Sequence, residues 1–261
     1  MHTFAGAHSV GVAETFVVLG VLYFALMLFG VFTIRIPADG WKPKGYIAPS
    51  GKAQTSGTQN VSAAAAVKTP QFWLLFCTLC LNITAGIGVL GQASVMIQEL
   101  FSETSVGADA AVSAAAAAGF VGLLSLFNMG GRFFWSSISD KLGRKNVYTV
   151  FFVLGAILYC LIPSLGESGS KALFIIGFCV IISMYGGGFA AIPAYLRDLF
   201  GTYQVGAIHG RILLAWSLAA VLGPVLVNYI RQGQIDAGVP AAQAYSITMY
   251  IMAGLLVLGL L

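Results

Sequence analysis

Charged side chains are rare in this sequence, so the few that fall inside apolar stretches carry most of its chemistry. Arg132 lies in Gly131-Arg132-Phe133-Phe134-Trp135, and the charge-rich run Ser136-Ser137-Ile138-Ser139-Asp140-Lys141-Leu142-Gly143-Arg144-Lys145 follows at once. A glycine flanked by basic residues suits a tight turn that caps a helix C-terminus. Asp140 does not fit that explanation, because a helix dipole disfavours an acid at its C-terminal end. It calls for a partner such as Arg144 or the N-terminus of a neighbouring helix. Uncharged polar residues are also scattered through the apolar stretches, namely Asn82, Thr84, Gln92, Asn128, Tyr185 and Asn228. Each could line a cavity or serve as hydrogen-bonding glue between helices.

The elements that must hold these residues follow from composition. Hydrophobic residues make up 58% of the 261 positions and charged residues 8%, against roughly 25–35% charged residues on a soluble surface. A bilayer-spanning helix needs about 20 apolar residues, and the chain offers seven such stretches: 13–35, 71–99, 110–138, 147–165, 172–196, 210–230 and 245–261. Runs such as Val17-Val18-Leu19-Gly20-Val21-Leu22 lack the alternation of a transmembrane barrel. The expected fold is therefore an all-α integral membrane protein of about seven helices.

Orientation follows from the loops. One set of connections holds Arg35, Lys42, Lys44, Lys52, Lys68, Lys141, Arg144, Lys145, Arg197 and Arg211, and the opposite set only Lys171 and Arg231. Cytoplasmic loops carry the excess of basic residues, so the first set is expected in the cytoplasm. The opposite side holds Glu99, Glu103, Asp109, Glu167 and Asp236. This distribution accounts for the net charge of +4 without a nucleic-acid partner. Arg132 alone is left inside a span, about 12 Å along the helix from Asp140 at 1.5 Å per residue. A charge at that depth costs about 2.5–3.5 kcal/mol on insertion scales and is functional, paired or snorkelling to the surface.

Other apparent motifs fail on context. Gly86-Ile87-Gly88-Val89-Leu90-Gly91 spells a dinucleotide fingerprint, but no strand precedes it. Cys77 and Cys80 have redox spacing inside an apolar helix without basic neighbours. His2, His8 and His209 are scattered, so no metal site or cofactor is expected. His209 is expected in a solvated loop and Glu14 at the membrane interface. No cluster at catalytic spacing points to an enzyme. Glycines 86, 88, 91, 119, 122, 130, 131 and 186–188 are expected to permit close helix approach, and Pro193 and Gly223-Pro224 to break helices.

The stretch Ser136 to Lys145 resembles the loop signature of the major facilitator superfamily, G-x-x-x-D-[RK]-x-G-R-[RK], with Ser136 in place of the first glycine. More of the chain resembles the oxalate/formate antiporter family within it. The shared segments are Gly40-Trp41-Lys42-Pro43-Lys44-Gly45-Tyr46 with Pro49, Thr69-Pro70-Gln71-Phe72-Trp73, Asn82 through Gly88, Gly91-Gln92-Ala93-Ser94, Gly131 through Trp135, Met184-Tyr185-Gly186-Gly187-Gly188-Phe189, and the run from Gly206 to Pro224. The resemblance implies the sixth helix, central loop and helices seven to twelve of a twelve-helix carrier. Residues 1–35 would close a truncated N-terminal half, 36–70 would be a cytoplasmic central loop, and 71–261 the C-terminal six-helix bundle with its last helix truncated.

The resemblance also implies roles. Asp140, Lys141, Gly143, Arg144 and Lys145 would latch the cytoplasmic side. Arg132 would be the ligand of the anion's carboxylate, with Trp216 nearby; of the polar residues inside the spans, Asn82, Gln92 and Tyr185 are the further candidates for substrate contact. Family members that take oxalate carry a lysine where Trp216 stands, so a monocarboxylate or a substrate needing aromatic contact is expected. The expected function is secondary transport of small organic anions by alternating access in a bacterial-type inner membrane. The expected partners are a small carboxylate, the lipid bilayer and a missing N-terminal half. The competing expectation is a truncated membrane module that transports nothing and binds another subunit.

Overall fold

A computed structural model of the chain describes residues 11–35, 41, 44–45, 61–103, 107, 111–241 and 243–260. Lys42, Lys52, Asp109, His2, His8, and Gly40, Pro43, Tyr46 and Pro49 lie outside them. The chain divides into two units, Met1–Gly51 and Lys52–Leu261.

The first unit contains α1 (Val12–Thr33), apolar on all sides and exposed along its length. A helix without a polar face has no use for water on any side, which is the pattern of a membrane span.

The second unit holds helices and no strand among its described residues: α2 (Ala63–Ala66), α3 (Pro70–Leu100), α4 (Ala114–Leu142), α5 (Arg144–Glu167), α6 (Lys171–Phe200), α7 (Val205–Ile212), α8 (Leu214–Asp236) and α9 (Ser246–Leu260). With α1, six helical stretches among the described residues are long and apolar enough to cross a membrane, α7 and α8 counting together, and α9 is a shorter apolar helix. The protein is an integral, multi-pass membrane protein.

Local chemistry sets the ends. Thr69 accepts from the Phe72 amide at 3.4 Å, with Pro70 at the first helical position of α3, and Ser113 accepts from Ala116 at 3.2 Å to start α4. Both satisfy amides that the helix leaves unpaired. Gly143, at φ +87°, is the single residue between α4 and α5. Gly201, at φ +80°, ends α6. These left-handed backbone positions favour glycine.

Three departures from what the sequence leads one to expect concern helix continuity. The expected gap between 138 and 147 closes to Gly143. Helices α6 and α8 run through Pro193 and Pro224 instead of breaking. His209 lies within α7, half-buried, rather than in a solvated loop. A proline removes one backbone bond, and neighbouring helices hold the remainder in place.

Packing is closest between α4 and α6, between α3 and α8, and between α5 and α9. The core contains an aromatic cluster: the Phe174 and Phe178 ring centroids stand 4.7 Å apart, with Phe101 and Phe120 against them. Two buried tyrosine hydroxyls are satisfied by helix carbonyls, Tyr148 donating to Gly188 at 2.6 Å and Tyr159 to Ala85 at 2.7 Å. Large apolar side chains such as Leu126, Phe133, Val221, Val225 and Leu258 face outward.

Candidate functional site

The position of Arg132 is set by glycines. Helices α4 and α6 touch backbone to backbone: a Cβ on Gly131 would lie 2.1 Å from the Ser183 carbonyl oxygen, and one on Gly186 would lie 2.2 Å from that of Asn128. Gly187 receives the Trp135 side chain in the same way, at 2.5 Å. This crossing brings the Arg132 guanidinium over the Phe189 ring of α6, 5.7 Å from its centroid.

Phe189 is the hub of a small aromatic cluster. Tyr185 meets it edge-on at 5.6 Å and 78°, and Trp216 of α8 meets it at 5.5 Å and 89°. Three of the five substrate residues expected from sequence, Arg132, Tyr185 and Trp216, thus come together from three helices. Arg132 is exposed and makes no ion pair among the described residues. A guanidinium that keeps its donors free beside an aromatic wall suits a planar carboxylate, which it can hold by two parallel hydrogen bonds.

The other two expected residues sit elsewhere. Asn82, buried in α3, lines a small internal void with Tyr185, and its amide nitrogen has no partner among the described residues. Gln92 donates to Asn228 of α8 at 2.9 Å, so it fastens two helices.

The glycines divide by position. Besides Gly131, Gly186 and Gly187, close approach holds at Gly86 against Tyr185 and at Gly88 against Gly223. By contrast, Gly91, Gly119, Gly122 and Gly130 have nothing within 4 Å of an added Cβ among the described residues. The expectation of close approach is corrected for these four, which lie on open faces of the unit.

The charge-rich run forms a three-helix junction. Arg144, at the start of α5, pairs with Asp140 in the last turn of α4 and contacts Ser139. Its Nε also reaches Asp198 in the last turn of α6 at 3.3 Å, and Arg197 lies 3.6 Å from the same carboxylate. Arg144 is therefore the rivet, its side chain 11% exposed. Lys141 and Lys145 make no ion pair among the described residues. Gly143 supplies the turn that sets Arg144 against Asp140.

Asp198 and Phe189 are the two members of these clusters that sequence reasoning does not single out, although each carries a signal that could have found it. The dipole argument that singles out Asp140 applies equally to Asp198, and Phe189 follows Tyr185 by one helical turn.

Asp140 is largely exposed, at 67%, whereas Asp198 is 34% exposed and Arg144 more buried than either. Exposed ion pairs contribute about 0–1 kcal/mol, and a charge left unpaired in a buried setting costs several-fold more. The expected order of destabilisation is therefore Arg144→Gln, then Asp198→Asn, then Asp140→Asn. Thermal unfolding of the three variants in detergent checks this, and a fall for Asp140→Asn as large as that for Arg144→Gln would contradict it.

At the other end of the bundle, Arg231 of α8 pairs with Glu99 of α3 and lies 5.3 Å from the Tyr245 ring centroid.

Comparison with known proteins accords with this arrangement. The family model described as Major Facilitator Superfamily matches residues 4–224 and 122–261. The "Oxalate:formate antiporter" of Oxalobacter formigenes is 30% identical over 213 residues, covering 82% of this chain and 46% of that protein. The "Uncharacterized MFS-type transporter YhjX" of Escherichia coli (strain K12) is 24% identical over 219 residues, covering 82% and 48%. The "Monocarboxylate transporter 14" of Mus musculus is 25% identical over 142 residues, covering 53% and 25%. The chain spans about half the length of the first two relatives. These matches, together with the helical fold and the charged junction, lead to one conclusion: the chain belongs to the Major Facilitator Superfamily.

Proposed function

We propose that this chain forms the C-terminal half of a secondary transporter that carries small organic monocarboxylates across a bacterial-type inner membrane. Residues 1–35 are the last helix of the N-terminal half, 36–70 the cytoplasmic central loop, and 71–261 the six-helix C-terminal half. The observation that carries the reading is the unpaired Arg132 guanidinium beside Phe189, Trp216 and Tyr185 on an exposed face.

In this reading the N-terminal half closes over that face, and the substrate binds near the midplane between the two halves. Arg132 takes the carboxylate in its fork. The aromatic edges exclude water from the remainder of the anion, which strengthens the charge interaction. The junction of Arg144 with Asp140 and Asp198 holds the cytoplasmic ends together and opens during alternating access.

One cation neutralises one carboxylate, so the site favours a monocarboxylate over a dicarboxylate such as oxalate. Counterflow in proteoliposomes of the complete transporter tests this. Formate-sized and larger monocarboxylates are expected to exchange, and oxalate to exchange at least tenfold more slowly. Trp216→Lys supplies a second cation and is expected to narrow that gap. Oxalate exchanging as fast as any monocarboxylate in the unaltered protein would overturn the reading.

A further inference from the structure

The charge-rich run contains two cations that make no ion pair at the junction among the described residues, Lys141 and Lys145. Lys145, the second residue of α5, lines a cavity of about 270 Å³ bounded by α3, α5, α6 and α9. Beside it stand Gln71, in the first turn of α3, and Tyr195 of α6. Neither side chain makes a hydrogen bond among the described residues, and Lys145 makes no ion pair there. The remaining wall is mainly apolar, with Leu74 and Phe152 among its members. Phe152 lies seven residues beyond Lys145, about 10 Å deeper along α5 at 1.5 Å per residue.

The cavity is thus graded. A cation and two free polar groups sit at the helix ends, and an apolar wall leads away from them into the bundle's outer surface. Leu74 is 68% exposed and its neighbour Trp73 51% exposed, so the wall opens where a membrane spanned by these helices would contact it. Trp73 also donates its indole N–H to the Val67 carbonyl at 2.8 Å, the half-polar, half-apolar placement typical of a tryptophan at a membrane interface.

We propose that this cavity is a binding site for an acidic phospholipid. The phosphate sits on Lys145, Gln71 and Tyr195, and an acyl chain runs along Leu74 and Phe152. Charge complementarity selects the anionic headgroup, since basic pockets between helices on the cytoplasmic side attract such lipids. The apolar wall selects a lipid over free phosphate, which would leave that wall in water. The site is separate from the Arg132 cluster, and it rests only on the part of the proposed function that places this end at the cytoplasmic leaflet.

Native mass spectrometry of the full chain, eluted from micelles doped with phosphatidylglycerol, phosphatidylcholine or inorganic phosphate, tests the proposal. Phosphatidylglycerol is expected to be retained above the other two. Lys145→Gln is expected to weaken its retention about fivefold, which is the ~1 kcal/mol of one cation near an anionic headgroup at 1.4 kcal/mol per tenfold. Lys145→Arg should restore retention, and Lys171→Gln, at the other end of the bundle, should leave it unchanged. Far-UV circular dichroism establishes that each variant is folded. Equal retention by the unaltered chain and folded Lys145→Gln, or phosphate retained as well as the lipid, would overturn it. No transported anion is involved, so failure of the counterflow test leaves this result standing and the converse also holds.

Discussion

Arg132→Gln is expected to lower monocarboxylate exchange by about 100-fold or more while leaving the amount of folded protein unchanged. The two halves of this expectation have separate causes. A bidentate guanidinium–carboxylate contact comprises two charge-assisted hydrogen bonds, each worth about 1.5–3 kcal/mol. Glutamine keeps one weak donor and no charge, so about 3 kcal/mol of substrate binding is lost, and 1.4 kcal/mol is a factor of ten. Stability should hardly change, because Arg132 is exposed, makes no ion pair among the described residues, and contacts Phe189 only through its π face. Cation–π contacts at exposed sites contribute about 0.5–1 kcal/mol. Arg132→Lys should recover part of the activity, since it restores the charge without the planar fork. Exchange rates in proteoliposomes, with melting temperatures of the same preparations, separate the two effects. A loss of exchange accompanied by an equal loss of folded protein would mean that Arg132 holds the bundle rather than the anion.

The largest effect on stability is expected from Gly186→Ala and Gly131→Ala. An added methyl group at either position meets a backbone carbonyl of the facing helix at 2.2 Å or 2.1 Å. Backbone cannot swing aside like a flexible side chain, so α4 and α6 must separate along their whole contact. Overpacking of this kind typically costs 1–3 kcal/mol and more where the structure cannot yield; about 3 kcal/mol or more is expected here. Gly122→Ala and Gly130→Ala serve as the contrast, because nothing among the described residues lies within 4 Å of either added group. They should be neutral or stabilising by up to about 1 kcal/mol through helix propensity. Thermal unfolding in detergent measures all four, and equal losses across the set would contradict the backbone contact between α4 and α6. The close crossing also sets the distance between Arg132 and Phe189, so variants that do fold should bind the anion more weakly.

What the sequence discloses and what it withholds follow from the range of each interaction. The apolar stretches are local signals of length and composition, and they mark the helices. Helix ends are less legible. Residues 139–146 read as a loop because their charges interrupt the apolar pattern, yet Gly143 at φ +87° turns the chain alone. Helix α4 begins at Ala114 rather than 110 because Ser113 caps it. The glycines are harder still. Gly130 and Gly131 are adjacent in sequence, but one faces open space and the other a carbonyl oxygen. Only the position of α6 distinguishes them, and no local pattern carries that information.

The site divides along the same line. Asp140 is identified by its conflict with the helix dipole, and the same argument reaches Asp198. Meeting Arg144 from two helices is a tertiary fact, as is the gathering of Arg132, Tyr185 and Trp216 on Phe189. Gln92 looks the same in sequence whether it lines a cavity or, as found, donates to Asn228 at 2.9 Å. Lys145 shows the limit of a motif: it adjoins Arg144 in the run, yet it leaves the junction and lines a different cavity.

The most direct test asks whether the carboxylate sits at Arg132. Ser136 lies one turn from Arg132 on α4 and donates to its carbonyl oxygen. The free cysteines Cys77, Cys80, Cys160 and Cys179 are replaced by serine in the complete transporter, and Ser136→Cys is introduced. The rate of maleimide labelling is then measured with and without a transported monocarboxylate. The carboxylate is predicted to slow labelling at least severalfold, and to lose that protection in Arg132→Gln. Labelling that ignores the carboxylate in a variant that still exchanges it would place the substrate elsewhere.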